Sequence, residues 1–164
     1  MYRRIVERQV RGTFAQINAG NYTAMLDTLA PEFEYHFIGD HPLGGRRTRL
    51  DTMDRWWQRV MRLIPDINFQ VHEVIVRGHP LNTRIAVRST VSGHSPTGAP
   101  YRNEMMQFMH LRLGKLTRVE SMEDTALLLT FLFDLDPADY PEAAAPPLVD
   151  GDDHRTADQH VVHE

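Results

Sequence analysis

Apolar residues recur at helical spacing from Tyr2 to Ala19, at Ile5, Val6, Val10, Phe14 and Ile17. The spacing predicts a helix with one buried stripe, ended by Gly20. Asn21 is placed to cap a second, short helix running through Leu29 and stopping before Pro31. The period then changes: Phe33, Tyr35 and Phe37 alternate with Glu34 and His36, as in a half-buried strand. Turn formers crowd Gly39-Asp40-His41-Pro42-Leu43-Gly44-Gly45 and end that strand. Met53, Trp56, Trp57, Val60 and Ile64 mark the apolar side of a helix from about Leu50 to Ile64, stopped by Pro65. Residues 67–77, 83–93, 101–113 and 115–123 read as strands of a meander, with turn signals at Gly78-His79-Pro80, Ser95 to Pro100 and Gly114-Lys115. A last helix is expected from Thr125 to Phe133.

Helices in this order cover one face of one sheet. In the third long strand Tyr101, Asn103, Met105, Gln107 and Met109 share a face, with Leu111 and Leu113 beyond them. That set is the expected pocket wall; in the opposite reading Met106 and Phe108 point inward instead. One of Trp56 and Trp57 should face the sheet and roof the pocket.

Composition narrows the picture. The chain has 164 residues, no cysteine and a net charge of −4, a length for one domain of ~100–150 residues plus an extension. Thiolate catalysis, cysteine zinc sites and disulfide scaffolds are excluded. Residues 1–134 hold 17 basic against 14 acidic residues, whereas residues 135–164 hold one against eight. A domain spanning 1–134 followed by an acidic, Pro/Ala-rich flexible tail at 135–164 is expected. A core so near neutrality lacks the footprint of a nucleic-acid binder. No apolar run reaches the ~18 residues that span a bilayer, and the amino terminus lacks the pattern of a signal peptide. A cytoplasmic protein without a membrane partner is expected. No metal and no cofactor is expected either: His36 and His41 lack ligand spacing, and no phosphate loop or nucleophile elbow occurs.

The order of elements resembles the nuclear transport factor 2-like cone, and local stretches resemble its SnoaL-like and ketosteroid-isomerase-like branch. These stretches are Ala19-Gly20-Asn21, Tyr35 through Gly45, Thr97-Gly98-Ala99-Pro100-Tyr101-Arg102-Asn103, Gly114-Lys115-Leu116 and Asp124-Thr125. The resemblance implies an α+β fold: a curved antiparallel (mixed) sheet wrapped around N-terminal helices. It also implies a buried cavity for a hydrophobic small molecule and a homodimer through the sheet face. One reaction does not follow, since cyclases, isomerases, hydrolases, dehydratases and binders share the scaffold.

The isomerases of this fold place a carboxylate base at the end of the first strand, which corresponds to Phe37 or, in another register, His36. An imidazole with a pKa near ~6.5 would suit proton transfer. Their acidic oxyanion donor corresponds to Gln107 and their helix tyrosine to a position near Thr13, so steroid-isomerase chemistry in its familiar form is not supported. The cyclases' acid on the last strand falls near Ser121, which cannot replace it; Glu120 or Glu123 would need a bulge to turn inward. Asp124 is either a second acid/base group or the N-cap of the last helix. An epoxide-hydrolase arrangement would draw on Arg88, Asp124 and Glu73. Asp40 and His41 are candidates for the mouth.

The expected catalytic residues are therefore His36 and Asp124. The expected ligand-binding residues are Phe14, Tyr35, Phe37, Trp57, Tyr101, Asn103 and Gln107. The function expected is cofactor-independent cyclisation, isomerisation or dehydration of a hydrophobic carbonyl or polyketide-like compound, against a non-catalytic binding or dimerisation module.

Overall fold

The computed structural model describes residues 1–151. Three helices come early: α1 (Tyr2–Asn18), α2 (Thr23–Leu26) and α3 (Leu50–Leu63). They lie against a six-stranded sheet, with α4 (Thr125–Phe133) following its last strand. The strands are β1 (Leu29–Phe37), β2 (Gly45–Arg47), β3 (Asn68–His79), β4 (Asn82–His94), β5 (Pro100–Arg112) and β6 (Lys115–Glu123), in spatial order β2-β1-β6-β5-β4-β3. β3 to β6 form the antiparallel meander, while β1 joins β6 in parallel. The fold is the α+β cone expected from the order of elements.

Period-two burial decides what faces the helices. Along β5 residues 101, 103, 105, 107, 109 and 111 are buried and the intervening ones mostly exposed. On β6 Val119 and Ser121 are fully buried. α3 contributes Met53, Trp56, Trp57, Val60 and Leu63, and α1 contributes Val6, Phe14 and Ile17. Burying such side chains stabilises by roughly 1.5–3 kcal/mol each.

Several boundaries differ from the sequence reading. α2 ends at Leu26 rather than Leu29, because β1 starts at Leu29 and carries Pro31 where its backbone leaves the β6 ladder between Leu29 and Glu34. Asn21 does not cap α2, whose N-cap is Tyr22. The turn-forming loop leads into a short edge strand, β2, antiparallel to β1. The β5–β6 turn is centred on Leu113 (φ 50°) and Gly114 (φ 78°), the paired positive φ of a type I′ hairpin.

The largest correction concerns the segment after α4. Residues 135–151 do not form a free tail but run back over the body as a strap. Leu135 and Ala143 are buried, and Tyr140 and Leu148 pack on the core. Arg62 pairs with Glu142 at 2.6 Å, Arg59 donates to Pro146 O at 2.8 Å, and Asp150 N donates to Arg46 O on the β2 edge. The acidic bias that suggested a tail supplies a cap: Asp150 Oδ2 accepts from Thr48 N and Arg49 N at 3.0 Å, and Oδ1 from Thr52 Oγ1 at 2.7 Å. α3 has no capping side chain of its own. Gly45 is required here by its φ of 89°, which side chains rarely adopt, and a Cβ would also crowd Val149 Cγ1 at 2.3 Å. The rest of the expected tail lies outside the described residues.

Candidate active site

The sheet and helices enclose a cavity of about 490 Å³. Its exposed lining residues, Gln9, Gly12 and Gln16 of α1, Asp27 and Gly114, mark the opening. The opposite end is closed by the buried Phe37, Leu43, Tyr101 and Leu128, with the partly buried Glu123 beside them. Aromatic rings make up much of the wall. Trp56 and Trp57 meet edge-on at 5.1 Å, Tyr35 lies 5.3 Å from Trp56, and Phe14 lies 5.4 Å from Phe69.

Two polar groups interrupt this surface. Midway, Gln107 Nε2 donates to Ser121 Oγ at 2.8 Å, and Ser121 Oγ lies 3.1 Å from the Tyr35 hydroxyl. Two hydroxyl protons are thus shared among groups that need only one between them, which leaves one for an added acceptor. At the closed end the Tyr101 hydroxyl donates to Glu123 Oε2 and accepts from Asn103 Nδ2 at 3.1 Å. Asn103 also donates to Asp124 O at 2.9 Å and accepts from Asp124 N. The start of α4 and the Tyr101 hydroxyl are therefore fixed by one amide.

Glu123 is the acid of the cavity. Withdrawal from water pushes its carboxyl up to about 7, against a smaller lowering by the Tyr101 hydrogen bond. Tyr101 is itself raised, first by burial and then by the neighbouring Glu123. A carboxyl poised there exchanges a proton readily near neutrality.

The expected residues fall into two groups. Phe14, Tyr35, Phe37, Trp57, Tyr101 and Gln107 line the cavity, with Asn103 buried against Tyr101. The two expected catalytic residues do not reach it. His36 alternates with the inward Tyr35 and Phe37, so it lies on the outer face, opposite Arg46 and Glu120 in the ladders. Strand alternation persists to the end of β1, and the imidazole cannot serve as base inside. Asp124 is exposed and caps α4, accepting from Ala126 N at 2.9 Å and Leu127 N at 3.2 Å.

Glu123 was expected inward only through a bulge, yet plain period two suffices: Val119, Ser121 and Glu123 share a face. The epoxide-hydrolase set also disperses, since Arg88 and Glu73 pair at 4.0 Å on the outer face. Asp40 is exposed and His41 buried at the closed end, edge-on to Phe37 at 4.8 Å, so neither forms the mouth. Among the described residues no three His, Asp or Glu gather as a metal site would require, and no helix is long and apolar enough to cross a membrane.

Known proteins place this arrangement in a class. The fold matches an NTF2-like protein of unknown function from Burkholderia pseudomallei at 19% identity and TM-score 0.67, covering 76% of this chain and 95% of that one. IdmH, a putative polyketide cyclase from Streptomyces antibioticus, matches at 18% identity and TM-score 0.62, over 77% and 97%. PrhC from Penicillium brasilianum matches at 14% identity and TM-score 0.70, over 87% and 94%. These likenesses define an NTF2-like fold. No curated protein matches the chain. The SnoaL-like domain model matches residues 10–119, and the chain belongs to that family.

Proposed function

We propose that this protein is a cofactor-independent acid/base enzyme acting on a hydrophobic carbonyl compound, by cyclisation, isomerisation or dehydration. The observation that carries the reading is the Tyr101–Glu123 pair at the closed end of an apolar cavity. Ionised Glu123 would take a proton from carbon next to the carbonyl, and neutral Glu123 would return it at another position. Tyr101, oriented by Asn103, would hold Oε2 and leave the other carboxylate oxygen to the substrate. The uncommitted proton of the Tyr35–Ser121 pair would meet oxygen charge developing on the substrate. The polyketide-cyclase description of IdmH is compatible with this class of reaction.

A panel of polyketide-like, steroid-like and epoxide compounds, screened by thermal shift and then for turnover, tests the proposal. For a compound that turns over, Glu123→Gln should lower kcat by about 10²–10⁴-fold while binding persists. An unchanged rate in that variant would refute the assignment.

The outer sheet face supports a homodimer as part of the same reading. Ile75, Met106, Phe108 and Met122 are exposed there, Phe108 at 59%; Met106 pairs with Met122, Phe108 follows two residues along β5, and Ile75 lies across Ala86 from Phe108. Glu73 and Arg88 border them, and two copies related by a twofold axis could exchange this pair.

A further inference from the structure

We propose that the cavity selects its occupant by charge, taking a neutral or amine-bearing molecule and rejecting one with a free carboxylate or phosphate. The inference rests on the cavity's being the ligand site, as above, but not on its catalysing a reaction. Among the described residues lining it, none is Lys, Arg or His, and the two acids are Asp27 at the mouth and Glu123 at the closed end. An anion entering would pass the Asp27 carboxylate and stop beside Glu123, with no cation among the described residues of the inner wall to meet it.

The cations beside the cavity are engaged elsewhere, beginning at the mouth, where Lys115 Nζ donates to Asp27 O at 2.6 Å. Arg47 is fully buried and is not part of the lining. Its guanidinium packs on Tyr35 and Trp56, 5.9 and 4.9 Å from the ring centres, and donates to the carbonyls of Leu43, Gly44 and Gly45. Arg59 donates to Pro42 O and Pro146 O. Neither residue lines the hollow. The remaining wall is hydrocarbon and aromatic face, which disfavours an unpaired anion and attracts a cation.

Three probes sharing one ring system isolate the effect: methyl naphthoate, naphthoate and naphthylmethylamine, each titrated calorimetrically against the full chain at pH ~8, where Glu123 is ionised. The ester and the amine should bind, with naphthoate weaker than the ester by at least about tenfold. Glu123→Gln should narrow that gap and weaken binding of the amine, whose ion-pair partner it removes. Asp27→Asn, at the exposed mouth, should narrow it less and gives a second reading if the inner variant unfolds. Naphthoate binding as tightly as the ester, or a gap untouched by both substitutions, would overturn the inference. Absence of binding by all three would overturn it together with the cavity's role as ligand site. Charge ranking intact in a protein that turns nothing over would remove the catalytic reading alone.

Discussion

A carboxyl group set in an apolar hollow holds its proton more firmly than one in water, and Glu123 occupies such a place. Its shift upward to about 7 has a definite sign for stability. Between the ordinary glutamate range and pH 7 the folded chain binds more protons than the unfolded one, so stability falls as pH rises through that window and levels off above it. Relative to Glu123→Gln, the wild type should lose on the order of 2–3 kcal/mol between pH ~4 and ~8, read by denaturant unfolding at both pH values. Other ionisable groups around it are Tyr101, Tyr35 and Asp124, and α4 adds no further charge. A parallel pH dependence of the two proteins would show that Glu123 is not the source. Tyr101→Phe removes the donor to the carboxylate and should raise the Glu123 pKa further, moving the acid limb of a kcat/KM profile upward. At this scale the sequence was informative where alternation was followed. Tyr35 and Phe37 face the cavity by the same rule that turns His36 away, and Glu123 follows Ser121 inward by two residues.

Elements supply the frame that holds these groups. The start of α4 is fixed twice, by Asp124 capping its first amides and by Asn103 gripping the Asp124 backbone. α3 depends on a cap from a hundred residues away, Asp150. Asp150→Ala should cost about 1–2 kcal/mol and lower Tm by roughly 3–6 °C. Amide exchange at Thr48 and Arg49 should speed up in the same variant, and an unchanged Tm with unchanged exchange would contradict the strap's role. Composition concealed the strap, since an acidic Pro/Ala-rich stretch has too few apolar residues to fold alone. Leu135, Ala143 and Leu148 are sufficient when a preformed surface receives them. The helices and long strands were legible because their periods run over many residues; β2, three residues long, has no period to read.

For the whole molecule, the order of elements was enough to give the cone and the face its helices cover. The depth and opening of its cavity come from contacts between elements distant in sequence. Gln16 of α1 and Gly114 of the β5–β6 turn both line the mouth, and no spacing along the chain records that they do. The exposed apolar sheet face makes a prediction for assembly. Wild type should elute as a dimer, and Phe108→Glu should elute as a monomer without loss of the monomer's fold; a monomeric wild type would contradict that reading.

Central to the proposed function is a Glu123 carboxyl kept half-protonated at neutral pH at the inner end of an apolar cavity. Carbon-detected NMR titration of the Glu123 side-chain carboxyl measures this directly, assigned by comparison with Glu123→Gln. The account predicts a midpoint near 7; titration in the ordinary glutamate range, near ~4.3, would contradict it.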